Sequence, residues 1–396
     1  MSSVFPRARE RFVATSAVGC WITDALGRRY LDAAGGAVVT GIGHGRREVV
    51  AALTAQLEQL DFVHAGAFTS EITEEYCQSL GAIVPVKGAR VYPVSGGSEA
   101  TETVLKMARA YQIASGRPER SVVVAREGSY HGNTLGALDL SGRQHLRAPY
   151  ESWLGRFRHV PLDIGRLEEE LARGDVAAFV AEPISGASLA AAVPPDDYWP
   201  AVSELCRQHE VLLVVDEVMT GFGRTGRWFG IQHWDVKPDL MICGKGASSG
   251  YWPLGLAIGS GDVFDAIGET FVHGYTFSHH PGGAAVGKAV LDIIEREGLV
   301  EAAARQGEVL KGRLQDALGD RVIDIRGKGL LIGIELEGDP QAVVASARRH
   351  GLLVYPAAIP AILLGPPLII SDSEIDQIVE RLSSALSLPP KGGVPA

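Results

Sequence analysis

The sequence is poor in cysteine. Its four, Cys20, Cys77, Cys206 and Cys243, show no C-x-x-C spacing. That argues against a disulfide framework or a metal site, and for reduced thiols in a cytoplasmic protein. It also lacks a long apolar run. No proline-free, uncharged stretch approaches the roughly twenty residues that span a bilayer. The longest candidate, Ala357–Ile370, is broken by Pro360, Pro366 and Pro367. The start, Met1-Ser2-Ser3-Val4-Phe5-Pro6-Arg7, has no apolar core of a secretory signal. Basic charge is short as well: 37 Lys and Arg face 47 Asp and Glu, a net −10. Neither nucleic acid nor an anionic membrane is an expected partner. No internal repeat or low-complexity tract is evident, and only Leu388–Ala396 reads as a loose tail. What is present is 396 residues, 46% hydrophobic, enough for two domains with a large core.

Two apolar runs end in groups of opposite charge. Val211-Leu212-Leu213-Val214-Val215 is short, uncharged and rich in β-branched residues, as a buried parallel strand is. Asp216 follows it directly. Met241-Ile242-Cys243 runs into Gly244-Lys245-Gly246. In open α/β sheets ligands sit beyond the carboxyl ends of the strands. A buried carboxylate and a buried amine are costly unless a ligand joins them. Pyridoxal 5′-phosphate is such a ligand. Its aldehyde takes a lysine amine, and its ring nitrogen takes an acidic partner that keeps the ring protonated as an electron sink. A partly desolvated lysine beside a cationic ring has a lowered pKa and serves as nucleophile and base. On their own the two residues equally fit an N-capping aspartate and a surface lysine after a glycine turn.

In chain order, residues 11–32 read as a hairpin turning at Asp24–Arg28. A glycine-rich loop, 35–45, precedes helical periodicity at 46–60 and 71–80. Val91–Val94, then Ser95-Gly96-Gly97-Ser98-Glu99-Ala100, is a strand, a turn and a helix start. Free N–H groups there form an anion site. No lysine follows the glycines, so it is not a Walker loop, and no full dinucleotide fingerprint is present. Glu99 also fits simple capping. Ser121–Ala125 leads to Tyr130-His131-Gly132, whose aromatic could stack on a ring. Ala177–Ala181 ends at Glu182-Pro183. Strand and helix alternate to about 260, the pattern of a wound parallel sheet. Beyond Pro281 two long helices, a strand pair at 322–337 and a helix–strand–strand–helix end form a separate α+β unit, which the N-terminal hairpin is expected to join.

These pieces resemble the class III pyridoxal-phosphate aminotransferases, the ω-transaminase branch of the fold-type I enzymes, over about residues 11–385. The motifs agree in order and spacing. They are Gly19-Cys20-Trp21 with Tyr30-Leu31-Asp32, Ser95–Ala100, Tyr130-His131-Gly132, and Glu182-Pro183. Asp216-Glu217-Val218 through Gly223-Arg224-Thr225-Gly226, Gly244-Lys245-Gly246, and Gly274–Ser278 complete them. The resemblance implies an α/β fold of type I, with a mostly parallel sheet in a large cofactor-binding domain, 43–285. A small α+β domain would be made of 1–42 and 286–396. It implies that Lys245 forms the Schiff base and moves the proton, and that Asp216 pairs with the pyridine nitrogen. Val218 and Tyr130 would flank the ring, Gly97 and Ser98 would hold the phosphate, and His131 and Glu182 would border the cofactor. Thr276 would reach the phosphate in a second subunit, so a homodimer is implied. The activity implied is a ping-pong exchange between an amine or amino acid donor and a keto acid acceptor. A racemase, epimerase or aminomutase could use the same residues.

The departures bear on the substrate. Ornithine-type members carry a glutamate where Ala187 stands and an arginine where Leu363-Leu364-Gly365 precedes Pro366-Pro367. Amine:pyruvate members often carry an arginine where Tyr355 stands. The usual glycine of the Ser-Gly-(His/Asn)-Pro motif is His279. A bidentate arginine–carboxylate pair has no tyrosine equivalent. Trp21, Val38, Phe68 and Tyr355 are the expected pocket residues, and the donor's distal part is expected to be neutral.

Overall fold

Apolar runs build three sheets in the computed structural model, which describes Phe5 and residues 12–386. The expected loose tail at 388–396 lies outside the described residues. Three strands come first: β1 (Ala14–Val18), β2 (Trp21–Asp24) and β3 (Arg29–Asp32). Seven build the central sheet: β4 (Arg90–Val94), β5 (Val122–Arg126), β6 (Arg158–Val160), β7 (Val176–Ala181), β8 (Leu212–Asp216), β9 (Leu240–Cys243) and β10 (Gly255–Gly259). Their order is β4-β10-β9-β8-β7-β5-β6. Strands β6, β5, β7, β8 and β9 pair in parallel, whereas β10 runs against both β9 and β4.

The unbroken apolar character of β7, β8 and β9 follows from burial on both faces. Phe179, Ala181, Leu213, Val215, Met241 and Cys243 enter one core cluster. Ala178, Val180, Leu212, Val214, Leu240 and Ile242 enter another. The period of two sends alternate side chains to opposite faces. Neighbouring β8 and β9 are in register with Asp216 opposite Ile242. Asp216 therefore ends β8 beside the turn that carries Lys245. The expected strand–helix alternation fails here. Between β8 and β9 the chain forms a 3-10 turn, Gly230–Trp234, and between β9 and β10 another, Lys245–Ala247. The long connection 217–239 still brings β9 back parallel to β8, whereas the short one, 244–254, returns the chain antiparallel in β10.

The remaining strands are β11 (Asp324–Lys328), β12 (Leu331–Glu335), β13 (Leu352–Leu353), β14 (Tyr355–Pro356) and β15 (Ala361–Leu364). They form the sheets β1-β2-β3-β13 and β11-β12-β15-β14. Parallel pairing of Leu31 with Leu352 joins the two chain ends in one sheet. The N-terminal segment has three strands rather than a single hairpin, because Gly19 (φ +59°) turns the chain between β1 and β2. Asp24 holds the next turn: its carboxylate accepts from the Leu26 and Arg28 amides and the Tyr30 hydroxyl. Long helices, Pro281–Arg296 and Leu299–Leu318, follow the central sheet.

Two polar ties bring the chain ends onto the central sheet. Ser249 Oγ accepts from the Gly41 and Ile42 amides at 2.8 and 3.1 Å. Buried Arg224 donates to the carbonyls of Leu330 and Pro366. Among the described residues no helix is long and apolar enough to cross a membrane.

Candidate active site

Asp216 is the centre of a buried polar cluster. Its Oδ2 lies 2.7 Å from His131 Nδ1, and its Oδ1 accepts from the Val218 amide at 3.0 Å. Bonded to a carboxylate, His131 Nδ1 carries the proton as donor. The loop carrying His131 is pinned, because its amide donates to Ser141 Oγ and its carbonyl accepts from the Thr101 hydroxyl. Glu182, buried at the end of β7, accepts from the Gly186 amide. Burial pushes its pKa up, and the Asp216 charge adds to this, while His131 and Arg126 oppose it. His131 Nε2 and Glu182 Oε2 are buried with no hydrogen-bond partner among the described residues. Orphaned buried polar atoms are rare, and each costs about 1–3 kcal/mol.

Lys245 follows Gly244 in the left-handed region, at φ +42°, where a non-glycine residue costs on the order of 1 kcal/mol. Burial pulls its pKa down to about 8. The Asp216 and Glu182 charges oppose that fall, and Arg224 adds to it. Roughly a tenth of the amine is thus neutral and nucleophilic near pH 7, far more than at the ordinary lysine pKa.

The third part is an anion cradle. The helix Gly97–Ala114 opens after Gly96 with its first amides free of helical partners. Glu99 does not face that cradle, because its carboxylate accepts from the Ser95 amide at 2.8 Å and caps the turn. Ser98 Oγ accepts from the Asn133 amide. Three glycines make room here. A Cβ on Gly132 (φ +133°) would lie 2.6 Å from Ser98 Oγ. A Cβ on Gly97 would lie 3.3 Å, and one on Gly244 3.6 Å, from Val218 methyls. Val218 thus lies between the helix start and the lysine turn. The donor set fits a phosphorylated pyridine aldehyde: amides and a hydroxyl for phosphate, a carboxylate for the ring nitrogen, and an amine for the aldehyde.

Other expected residues scatter. Tyr130 is 38% exposed, with the Arg143 guanidinium 5.5 Å from its ring centroid. Val38 (φ +63°) is buried, and its methyls would meet a Cβ on Gly365 at 2.7 Å. Tyr355 pairs with Leu363, and the Ala187 carbonyl accepts from Ala358. Val38 thus lies against the turn after β15 and Ala187 against the loop between β14 and β15, and both pack with Tyr355 on the same core. Trp21 does not join it. Its indole donates to Glu374, and its ring packs against the Arg29 and Arg381 guanidiniums. Phe68 is 67% exposed, and Thr276 is exposed as well. His279 keeps the backbone shape of a glycine (φ +59°), with its ring edge-on to Tyr92 at 4.5 Å.

Some residues were not singled out from the sequence. Glu217 is one: its buried carboxylate accepts from the Thr220 hydroxyl and, at 2.8 Å, from the Gly230 and Ile231 amides. Burial pushes its pKa up to about 7. It folds the 217–231 loop back on itself. Its adjacency to Asp216 was the available signal, since neighbouring side chains at a strand end point to opposite faces. Ser249 and Arg143 carried no such signal.

Fold and site together define a pyridoxal-phosphate-dependent transferase of fold type I. The chain belongs to the class III aminotransferases, whose family model (Aminotransferase class-III) matches residues 4–386. The acetylornithine aminotransferase of Methanothermobacter thermautotrophicus is 36% identical over 382 residues, covering 96% of this chain and 95% of that protein. A thermostable (S)-enantioselective omega-transaminase from Thermomicrobium roseum superposes with a TM-score of 0.92 at 34% identity, covering 98% of this chain and 96% of that one. The omega transaminase from Pseudomonas jessenii, solved in complex with PMP, gives 0.93 at 30% identity, with 97% and 96% covered. These relatives support transamination by a ping-pong exchange over the same-molecule isomerase.

Replacing Gly132 with Ala should push Ser98 out of the cradle. Absorbance titration of cofactor-free protein should show affinity for pyridoxal phosphate at least about tenfold weaker, with far-ultraviolet dichroism retained. Unaltered affinity would mean that the Ser98 hydroxyl does not hold the phosphate.

Lys245 also makes the stability of the cofactor-free protein depend on pH. Its folded pKa, about 8, lies below the ordinary 10.5. The buried ammonium therefore costs stability, roughly 3 kcal/mol at 1.36 per unit, fully below pH 8. The cost fades as pH rises from 8 to 10.5. Lys245→Met should raise the unfolding midpoint at pH 7 and lose that advantage by about pH 10.5. A gain constant across the window would contradict the buried amine.

Proposed function

We propose that this aminotransferase takes its amino group from a donor whose distal part is neutral, an amine or an apolar amino acid, and passes it to a keto acid. The carrying observation is that Ala187, Tyr355 and Leu363, neutral and packed with Val38 on the core, stand where ornithine-type and amine:pyruvate relatives bear charge. An uncompensated carboxylate buried there would be expensive. The likeness to an (S)-enantioselective omega-transaminase supports an amine donor.

When bound, the cofactor supplies an aldehyde and a protonated ring that accepts the electron pair of the broken C–H bond. Asp216 keeps the ring nitrogen protonated, and His131 and the Val218 amide hold that carboxylate in place. The amides of Gly97 and Ser98 and the Ser98 hydroxyl carry the phosphate. Val218 and Tyr130 would flank the ring. Glu182 orders the end of β7. Lys245 Nζ would take the proton from the donor's amine-bearing carbon and deliver it to the cofactor's aldehyde carbon within the same half-reaction. In the other half it would carry the proton the opposite way, to the carbonyl carbon of the acceptor.

A panel of donors with pyruvate, read by loss of the bound cofactor's absorbance, tests the substrate class. Neutral-tailed amines should outrun ornithine and distal carboxylates by at least about tenfold in kcat/KM. Ornithine or a diacid as the fastest donor would sink the proposal.

The reading includes a homodimer in the cytoplasm, with residues 43–285 as the large domain and 1–42 with 286–396 as the small one. The pairing of β3 with β13 supports that division, and unpaired thiols support a reducing compartment. Thr276, Phe277, Phe68 and Val272 are exposed on one chain, as an unfilled subunit face would be. Mixing Lys245→Ala with Thr276→Ala chains tests the shared site. A hybrid dimer has one doubly defective and one intact site, so activity should return. No recovery despite proven hybrids would place Thr276 within its own site.

A further inference from the structure

We propose that Arg143 is the cation that receives the carboxylate of the keto acid acceptor. This rests on the aminotransferase reading above and supplies the positive charge that positions 355 and 363 lack. Other arginines around the cleft are committed. Arg126 donates to the Glu182 carbonyl, and Arg224 to the carbonyls of Leu330 and Pro366. Arg147 pairs with Asp139 and His159. Arg326 pairs with Asp324 and Glu335. Arg126 shares a buried Nε without a partner, but its guanidinium is bonded elsewhere. Among the described residues the guanidinium of Arg143 makes no ion pair or hydrogen bond at all, and its Nε is buried without a partner. Its one ring contact is the face of Tyr130, at 5.5 Å.

The position of Arg143 is set by the loop that builds the site. Ser141 Oγ accepts from the His131 amide at 2.9 Å. The Gly142 amide donates to the Ser129 carbonyl at 3.0 Å, and the Gly142 carbonyl accepts from the Gly128 amide at 3.2 Å. A Cβ on Gly142 would lie 2.6 Å from both the Arg126 carbonyl oxygen and the Gly128 nitrogen. Residues 141–142 are therefore locked against the segment that carries Tyr130 and His131, and His131 holds Asp216. Arg143 is the next residue. Stacking on an aromatic ring holds a guanidinium plane while leaving its in-plane N–H groups free. Those donors match a carboxylate in a bidentate pair. A buried, unpartnered nitrogen calls for a partner, and a ligand carboxylate would supply one.

The test compares acceptors that differ in the carboxylate, using holoenzyme of the wild type, Arg143→Leu and Arg143→Lys. Bound-cofactor absorbance and dichroism report folding. The ratio of KM for pyruvate to KM for butanal, which has no carboxylate, should rise at least about tenfold in Arg143→Leu and recover in part in Arg143→Lys. Calorimetric affinity for propionate, an unreactive carboxylate, should fall by a similar factor. A parallel change in both KM values would reveal a structural role and overturn the proposal, as would an unmoved propionate affinity. If the wild type transfers nothing to pyruvate, the aminotransferase reading fails, and propionate binding alone then decides the role of Arg143.

Discussion

Adjacent parallel strands force a carboxylate and an amine into the same buried space. β8 ends in Asp216, and β9 feeds the turn of Lys245. Neither group is cheap to bury, and burial already draws the lysine down to about 8. Much of the surrounding structure answers that constraint. His131 and the Val218 amide bind Asp216, and Ser249 ties the loop after Lys245 to Gly41 and Ile42. The unsatisfied nitrogen of His131 and oxygen of Glu182 make the cluster self-consistent only around a polar ligand.

The most legible parts of the sequence were those with a single physical cause. Continuous apolar runs marked β7, β8 and β9 because burial on both faces leaves no polar positions. Asp216 and Lys245 were legible because charge directly after such runs is rare. The Ser95–Ala100 turn read as an anion site because glycines and a serine precede a helical period. Relations between distant segments were not legible. Nothing in the run Val211–Lys245 states that β10 reverses, since that depends on how short the connection 244–254 is. Trp21 looked like a pocket aromatic by motif, yet Glu374, far away in sequence, claims its indole. Arg143 looked like any loop arginine until Tyr130 and the Ser141–Gly142 lock came together.

Several polar residues act on the backbone rather than on a substrate. Glu217, next to Asp216, receives amides of its own loop. Arg224 closes the gap between that loop and the last strand through carbonyls alone. Glu99 caps the turn of the anion cradle. The geometry of the site is thus held by side chains that satisfy main-chain groups on its loops. His279 shows the same priority. The backbone shape is kept at a positive φ even with an imidazole attached.

The pairing of Leu31 with Leu352 has a consequence for biosynthesis. At ~5–20 residues per second, the ribosome needs on the order of tens of seconds to deliver the second of these after the first. During that interval β3 has an open edge, and the loop 35–45 lacks its neighbours near Gly365 and Leu368. An open strand edge invites pairing with other chains. The nascent protein is therefore most vulnerable at β1–β3 until Leu352 has been made.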